Sequence, residues 1–178
     1  VDISPAIGVS LDGLLQKHGP IKKVLDPLHA RCLVLDDGPN RIAIVMVDAC
    51  VVSGQVIDRA KALARKQTGL PTDRMLIAAT HTHMAPRIAG WTDGEMDREY
   101  YDQVIRGISA AIGRSIKRLA PAKIGWASVD RKQYLNNRRW IMKPGTVGPD
   151  PFGENGDQVV MGGSPAGNRL RPAGPVDP

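Results

Sequence analysis

"ARCLVLDDGPNRIAIVMVDAC", residues 30–50, holds two runs of β-forming residues separated by Asp36, Asp37, Gly38, Pro39 and Asn40. The separating residues are turn formers, so the stretch predicts an antiparallel hairpin. Beyond it the apolar period lengthens from two residues to about 3.6. Val56, Ile57, Ala60, Leu63 and Ala64 make one stripe of a helix that Ser53 caps and that runs to about Gln67, closed by Gly69 and Pro71. Met75 to Ala79 reads as a short buried strand, and Pro86 forbids further ladder pairing. A long helix is expected from about Glu95 to Leu119, with Tyr101, Val104, Ile105, Ile108, Ile112, Ile116 and Leu119 on one face and Pro121 as its stop. "AKIGWASVDR", residues 122–131, then reads as a returning strand. A hairpin followed by β-α-β units predicts an α/β fold with a mixed sheet and right-handed crossovers.

From residue 143 to 178 glycine and proline dominate and only Val159, Val160 and Met161 cluster, so a long loop is expected there. The chain of 178 residues, 42% hydrophobic and 24% charged, has enough apolar surface for one core, which excludes disorder of the whole. No apolar stretch approaches the roughly 18 residues of a membrane span. The first residues, "VDISPAIGVSLDG", lack the basic and apolar regions of a signal, as would a mature chain whose signal has been removed. Cys32 and Cys50 match no metal spacing and no disulfide framework, and both are expected to be small core residues. The net charge of +6 is unevenly spread: Arg106, Arg114, Lys117, Arg118, Lys123, Arg131, Lys132, Arg138, Arg139 and Lys143 face only Asp130 within residues 103–143. Such a block suits an anionic partner or is a solvated face.

"MLIAATHTHMAP", residues 75–86, carries two of the four histidines where an apolar run stops. His81 and His83 therefore fall at a strand's C-terminal mouth, the edge at which α/β proteins place their sites. If the extended conformation continues through Thr82, both imidazoles share one face. That arrangement suits two ligands of one metal, or one ligand beside one general base. Asp48 ends the second hairpin strand at the same edge, as a partner for an imidazole or as a cap on the turn into Ser53.

Taken in order, "DISPAIGV", "DPLHARCLVLDDG", "VMVDA", "LIAATHTHMAP", "NNRR" and "RPAGPVDP" resemble the N-terminal part of the neutral/alkaline (non-lysosomal) ceramidase family. The likeness spans essentially the whole chain, and "ATHTHMAP" is its most specific element. The resemblance implies a zinc-dependent amidase that cleaves the N-acyl bond of ceramide or a related N-acyl lipid. It implies that His81 is a zinc ligand, that His83 is the neighbouring histidine facing the reaction centre, and that Arg138 lines the site. Arg139 stands where the family has serine, and His29, where relatives often carry an aromatic, is given no role. The resemblance further implies that residues 1–178 are the N-terminal portion of a single metal-hydrolase catalytic domain, with residues 143–178 a loop-rich connector. A second histidine, a glutamate and a tyrosine would complete the zinc site from beyond Pro178, so residues 1–178 alone are expected to be inactive. Expected partners are the lipid substrate, an anionic membrane surface and the rest of the domain, with no nucleic acid. The expected location is secreted, periplasmic or cell-surface.

On this reading zinc held partly by His81 lowers the pKa of water to near 7 and polarises the acyl carbonyl. His83 handles protons, and Arg138 meets the developing oxyanion, an effect typically worth about 3 kcal/mol. A different metal hydrolase, such as an amidohydrolase barrel, also has an HxH strand mouth, but on its first strand; here a hairpin and a helix come first. A non-enzymatic module would instead use the basic block, with Tyr134 and Trp140 as stacking surfaces, for an anionic partner. That alternative leaves the two histidines without a function.

Overall fold

The structure, a computed structural model, describes residues 1–11, 19–88, 97–131, 133, 135–150, 152–154, 158–162 and 165–176. His18, Glu95 and Tyr134 lie outside the described residues. The chain divides into two units, Val1–Ala122 and Lys123–Pro178.

The first unit begins with the hairpin. Strands β1 (Ala30–Asp36) and β2 (Arg41–Val47) pair antiparallel from Ala30↔Val47 to Asp36↔Arg41. The turn is closed by its own carboxylates: Asp37 Oδ1 accepts from the Asn40 amide at 2.8 Å, and Asp36 Oδ1 accepts from the Gly38 amide at 2.9 Å. Gly38 has φ +98°, a conformation that costs a side-chain-bearing residue dearly. Helix α1 (Gly54–Thr68) starts at the Ser53 cap, whose hydroxyl accepts from the Val56 amide, and ends at Gly69 with φ +75°. It leads into β3 (Met75–Ala79), which lies parallel to β2 in the sheet order β1-β2-β3. Helix α2 (Arg98–Lys117) is capped by Asp97. The expected mixed α/β arrangement is thus present.

Alternation decides which face of this sheet is covered. Ala30, Val34, Ala43, Val45, Val47, Met75 and Ile77 are buried with Val56, Ala60 and Ala64 of α1 and with Val104, Ile108 and Ile112 of α2. Small residues at Ala43, Ala60 and Ala64 let helix and strand backbones approach closely. Between the helices the buried Ser109 hydroxyl donates to Gln67 Oε1 at 2.8 Å. The N-terminal segment is pinned onto α2: Ile3 is fully buried, its amide donates to Leu28 O at 2.8 Å, and a Cβ at Gly107 would drive into its Cγ2. No helix among the described residues is long and apolar enough to cross a membrane.

Two expectations are corrected. Residues 122–131 form no strand, and Ile124, Trp126 and Val129 are 76%, 92% and 69% exposed. A β-rich run becomes a strand only where an edge accepts it, and among the described residues this run has no ladder partner. Conversely, the stretch expected to be all loop contributes two strands. In the second unit β4 (Arg139–Met142) is flanked antiparallel by β5 (Val159–Met161) and β6 (Arg169–Pro172), with a register shift between Ile141 and Met142.

Candidate metal centre

The centre grows from the parallel register of β2 and β3. Val47 pairs with Ala79, so the residues following each strand leave the sheet side by side. The pairing continues past the strands: the Thr80 amide donates to Val47 O and the Thr82 amide to Ala49 O, both at 3.0 Å. His81, held between these bonds, takes φ +61°, a left-handed conformation uncommon outside glycine, though histidine tolerates it better than most side chains. The expected extended path through Thr82 therefore does not form. The imidazoles meet by a turn of the backbone rather than by strand alternation.

The meeting itself is close. His81 and His83 stand edge to face with ring centroids 4.7 Å apart, and their Nε2 atoms are 3.0 Å apart. On its other side His81 Nδ1 lies 3.0 Å from the Cys50 carbonyl oxygen and 3.7 Å from Cys50 Sγ. One donor atom from each of Cys50, His81 and His83 lies within 4.8 Å of the others. Two tautomers follow. With Nδ1 protonated, His81 donates to the Cys50 carbonyl and its Nε2 accepts from His83; with Nε2 protonated, His81 donates to His83 and Nδ1 is a bare lone pair facing Cys50.

Cys50 is the member that the sequence left out. It is buried as expected for a core cysteine, and burial pushes its thiol up from the ordinary range. No linear motif joins residues 50 and 81, but "VMVDAC" and "LIAATH" each place their last residue just past a buried strand. Parallel pairing of those strands was the signal available.

Asp48 serves neither role expected for it. Its Oδ2 accepts from the His29 amide at 2.9 Å and from the Arg31 guanidinium at 2.6 Å, and Thr80 Oγ1 lies 3.4 Å from Oδ1. Burial alone would raise this carboxyl; Arg31 and the His29 amide outweigh it and hold it below the usual value. Asp48 thus ties β1 to the segment after β2. His29 Nδ1 lies 3.0 Å from Pro27 O and 3.2 Å from Arg31 Nη2, donating to the first in one tautomer or accepting from the second in the other.

Arg138 is exposed in the second unit, at the entry to β4, where its carbonyl accepts from the Gly162 amide at 3.0 Å. The following Arg139 amide donates to Asn137 Oδ1 at 2.9 Å, so the "NNRR" stretch is shaped by its own asparagine. Trp140, half-buried, lies beneath the Arg169 guanidinium at 5.1 Å.

Two imidazoles and a thiol are nitrogen and sulfur donors, the set that zinc takes and that calcium and magnesium avoid. Comparison of the chain with protein-family models, with curated proteins and with solved structures finds no match.

Proposed function

We propose that this chain serves a zinc-dependent amide hydrolase resembling the neutral ceramidases, which cleaves the N-acyl bond of ceramide or a related N-acyl lipid. The observation that supports it is the approach of His81 and His83, Nε2 to Nε2 at 3.0 Å, at the C-terminal edge of the first sheet. The chemistry zinc supplies when bound is Lewis acidity towards water and the acyl carbonyl. His81 holds the metal. His83 is exposed, is tied to His81 through Nε2, and takes up and returns protons through Nδ1. By the resemblance alone, Arg138 is the residue that would supply fixed positive charge to a developing oxyanion. Arg106, Arg114, Lys117 and Arg118, all exposed along α2 and its end, suit the anionic membrane surface where an N-acyl lipid resides, which in turn suits a secreted, periplasmic or cell-surface enzyme.

The test is fatty-acid release from ceramide by protein that includes the further ligands the resemblance calls for. Turnover lost on chelation and restored by zinc is expected. Unchanged turnover after complete metal removal would overturn the reading.

A further inference from the structure

Two threonines flank His81, and their hydroxyls meet across it. Thr80 Oγ1 and Thr82 Oγ1 are 2.7 Å apart, so a side-chain bond spans the residue that takes φ +61°. Thr80 Oγ1 also lies 3.3 Å from Val47 O and 3.4 Å from Asp48 Oδ1. A carbonyl and an ionised carboxylate only accept, so Thr80 donates to them and receives the Thr82 hydroxyl proton. Asp48 is itself fixed by Arg31 at 2.6 Å. On the ring, the Cys50 carbonyl oxygen stands 3.0 Å from His81 Nδ1, where it accepts an N–H and leaves the lone pair on Nε2.

We propose that Thr80 and Thr82 are positioning residues for His81: their hydroxyl bridge, anchored on Asp48, holds the residue left-handed, so that the Cys50 carbonyl takes Nδ1–H and Nε2 is offered to the metal. The inference deepens the zinc reading above and rests on it. An extended backbone suits a side-chain-bearing residue better than a left-handed one. Extension at residue 81 would set the Thr80 and Thr82 Cα atoms roughly 6.5 Å apart and draw their hydroxyls away from each other. The bridge therefore opposes relaxation at the point of strain. It also keeps Nδ1 on a backbone carbonyl, the partner that commonly fixes the ring and tautomer of a metal-bound histidine. Nε2, which now faces His83 Nε2 at 3.0 Å, is the ligand atom.

Two double variants test this: Thr80→Val with Thr82→Val, which removes the hydroxyls, and Thr80→Ser with Thr82→Ser, which keeps them. Long-range proton–nitrogen NMR of the metal-free chain, at about pH 8 where imidazole is neutral, reads the His81 tautomer. Competition titration reads zinc affinity on the same protein as the turnover assay. The unaltered chain and the serine variant should hold His81 protonated at Nδ1. The valine variant should show mixed tautomers and bind zinc roughly 10–100-fold more weakly, the usual cost of losing the groups that orient a ligand. A valine variant with the parent's tautomer and affinity overturns the proposal, as does a serine variant impaired as much as the valine one. A fixed tautomer that is lost only in the valine variant, in a protein that binds no zinc at all, leaves the clamp standing and overturns the zinc reading. Where the double valine variant fails to fold, Thr82→Val alone is held to the same outcomes.

Discussion

At the scale of single residues, His81 combines a functional side chain with a backbone conformation that side chains resist. A left-handed non-glycine residue costs on the order of 1 kcal/mol or more, and such strain persists where surrounding bonds over-determine it. Glycine is therefore the clean replacement. His81→Gly should abolish bound metal and turnover while leaving the melting temperature unchanged or slightly higher, measured by metal analysis and calorimetry. His83→Ala should keep much of the metal and lose turnover by about 10²–10⁴-fold, the usual contribution of proton transfer. Equal loss of metal from both variants would make both residues ligands. The sequence made the two histidines legible because they end an apolar run; it hid Cys50, because adjacency across a parallel pair leaves no spacing to count.

The hairpin was readable as an element because its turn carboxylates are local: Asp36 meets Gly38 and Arg41, all within a few residues. The Gly38 amide and the Arg41 guanidinium lower the Asp36 pKa below its ordinary 3.8. A lowered folded-state pKa gives stability that is present above pH 3.8 and lost as pH falls through the folded value. Acid titration of thermal stability should thus show a loss below about pH 4 that is smaller in Asp36→Asn, whereas an identical profile would deny the carboxylate that role. Helix α2 is subject to a packing limit at Gly107, beneath Ile3. Gly107→Ala should cost about 1–3 kcal/mol by overpacking, and Ile3→Ala should remove much of that penalty in a double-mutant cycle. Additive costs would place the clash elsewhere. Residues 122–131 were misread because propensity records how a side chain suits a half-buried pleat and says nothing of whether an edge is there to receive it.

For the molecule as a whole, the face of the first sheet opposite the helices is apolar and open. Leu33, Ile44 and Leu76 stand in one row across its three strands, with Leu33 56% and Leu76 59% exposed. Exposed apolar patches of this kind drive association. Sedimentation should show the chain self-associating as concentration rises, with Leu33→Lys combined with Leu76→Lys returning it to a monomer; a parent that stays monomeric at high concentration refutes this. The second unit escaped the sequence reading because β5 and β6 are too short for alternation to register, and their pairing with β4 links residues far apart in the chain. Distance along the chain has one more consequence, for the order of folding. Cys50 and His81 are 31 positions apart with α1 between them, and they meet only when the parallel β2–β3 pair closes. Such non-local closures come at an entropic cost and tend to be slow. A metal held by His81 at this closed edge binds the folded chain alone, so about 100 times its Kd should add roughly 2.7 kcal/mol to stability. If the pair closes after the rate-limiting barrier, that increment appears wholly as slower unfolding, with the refolding rate unchanged by metal in stopped-flow experiments.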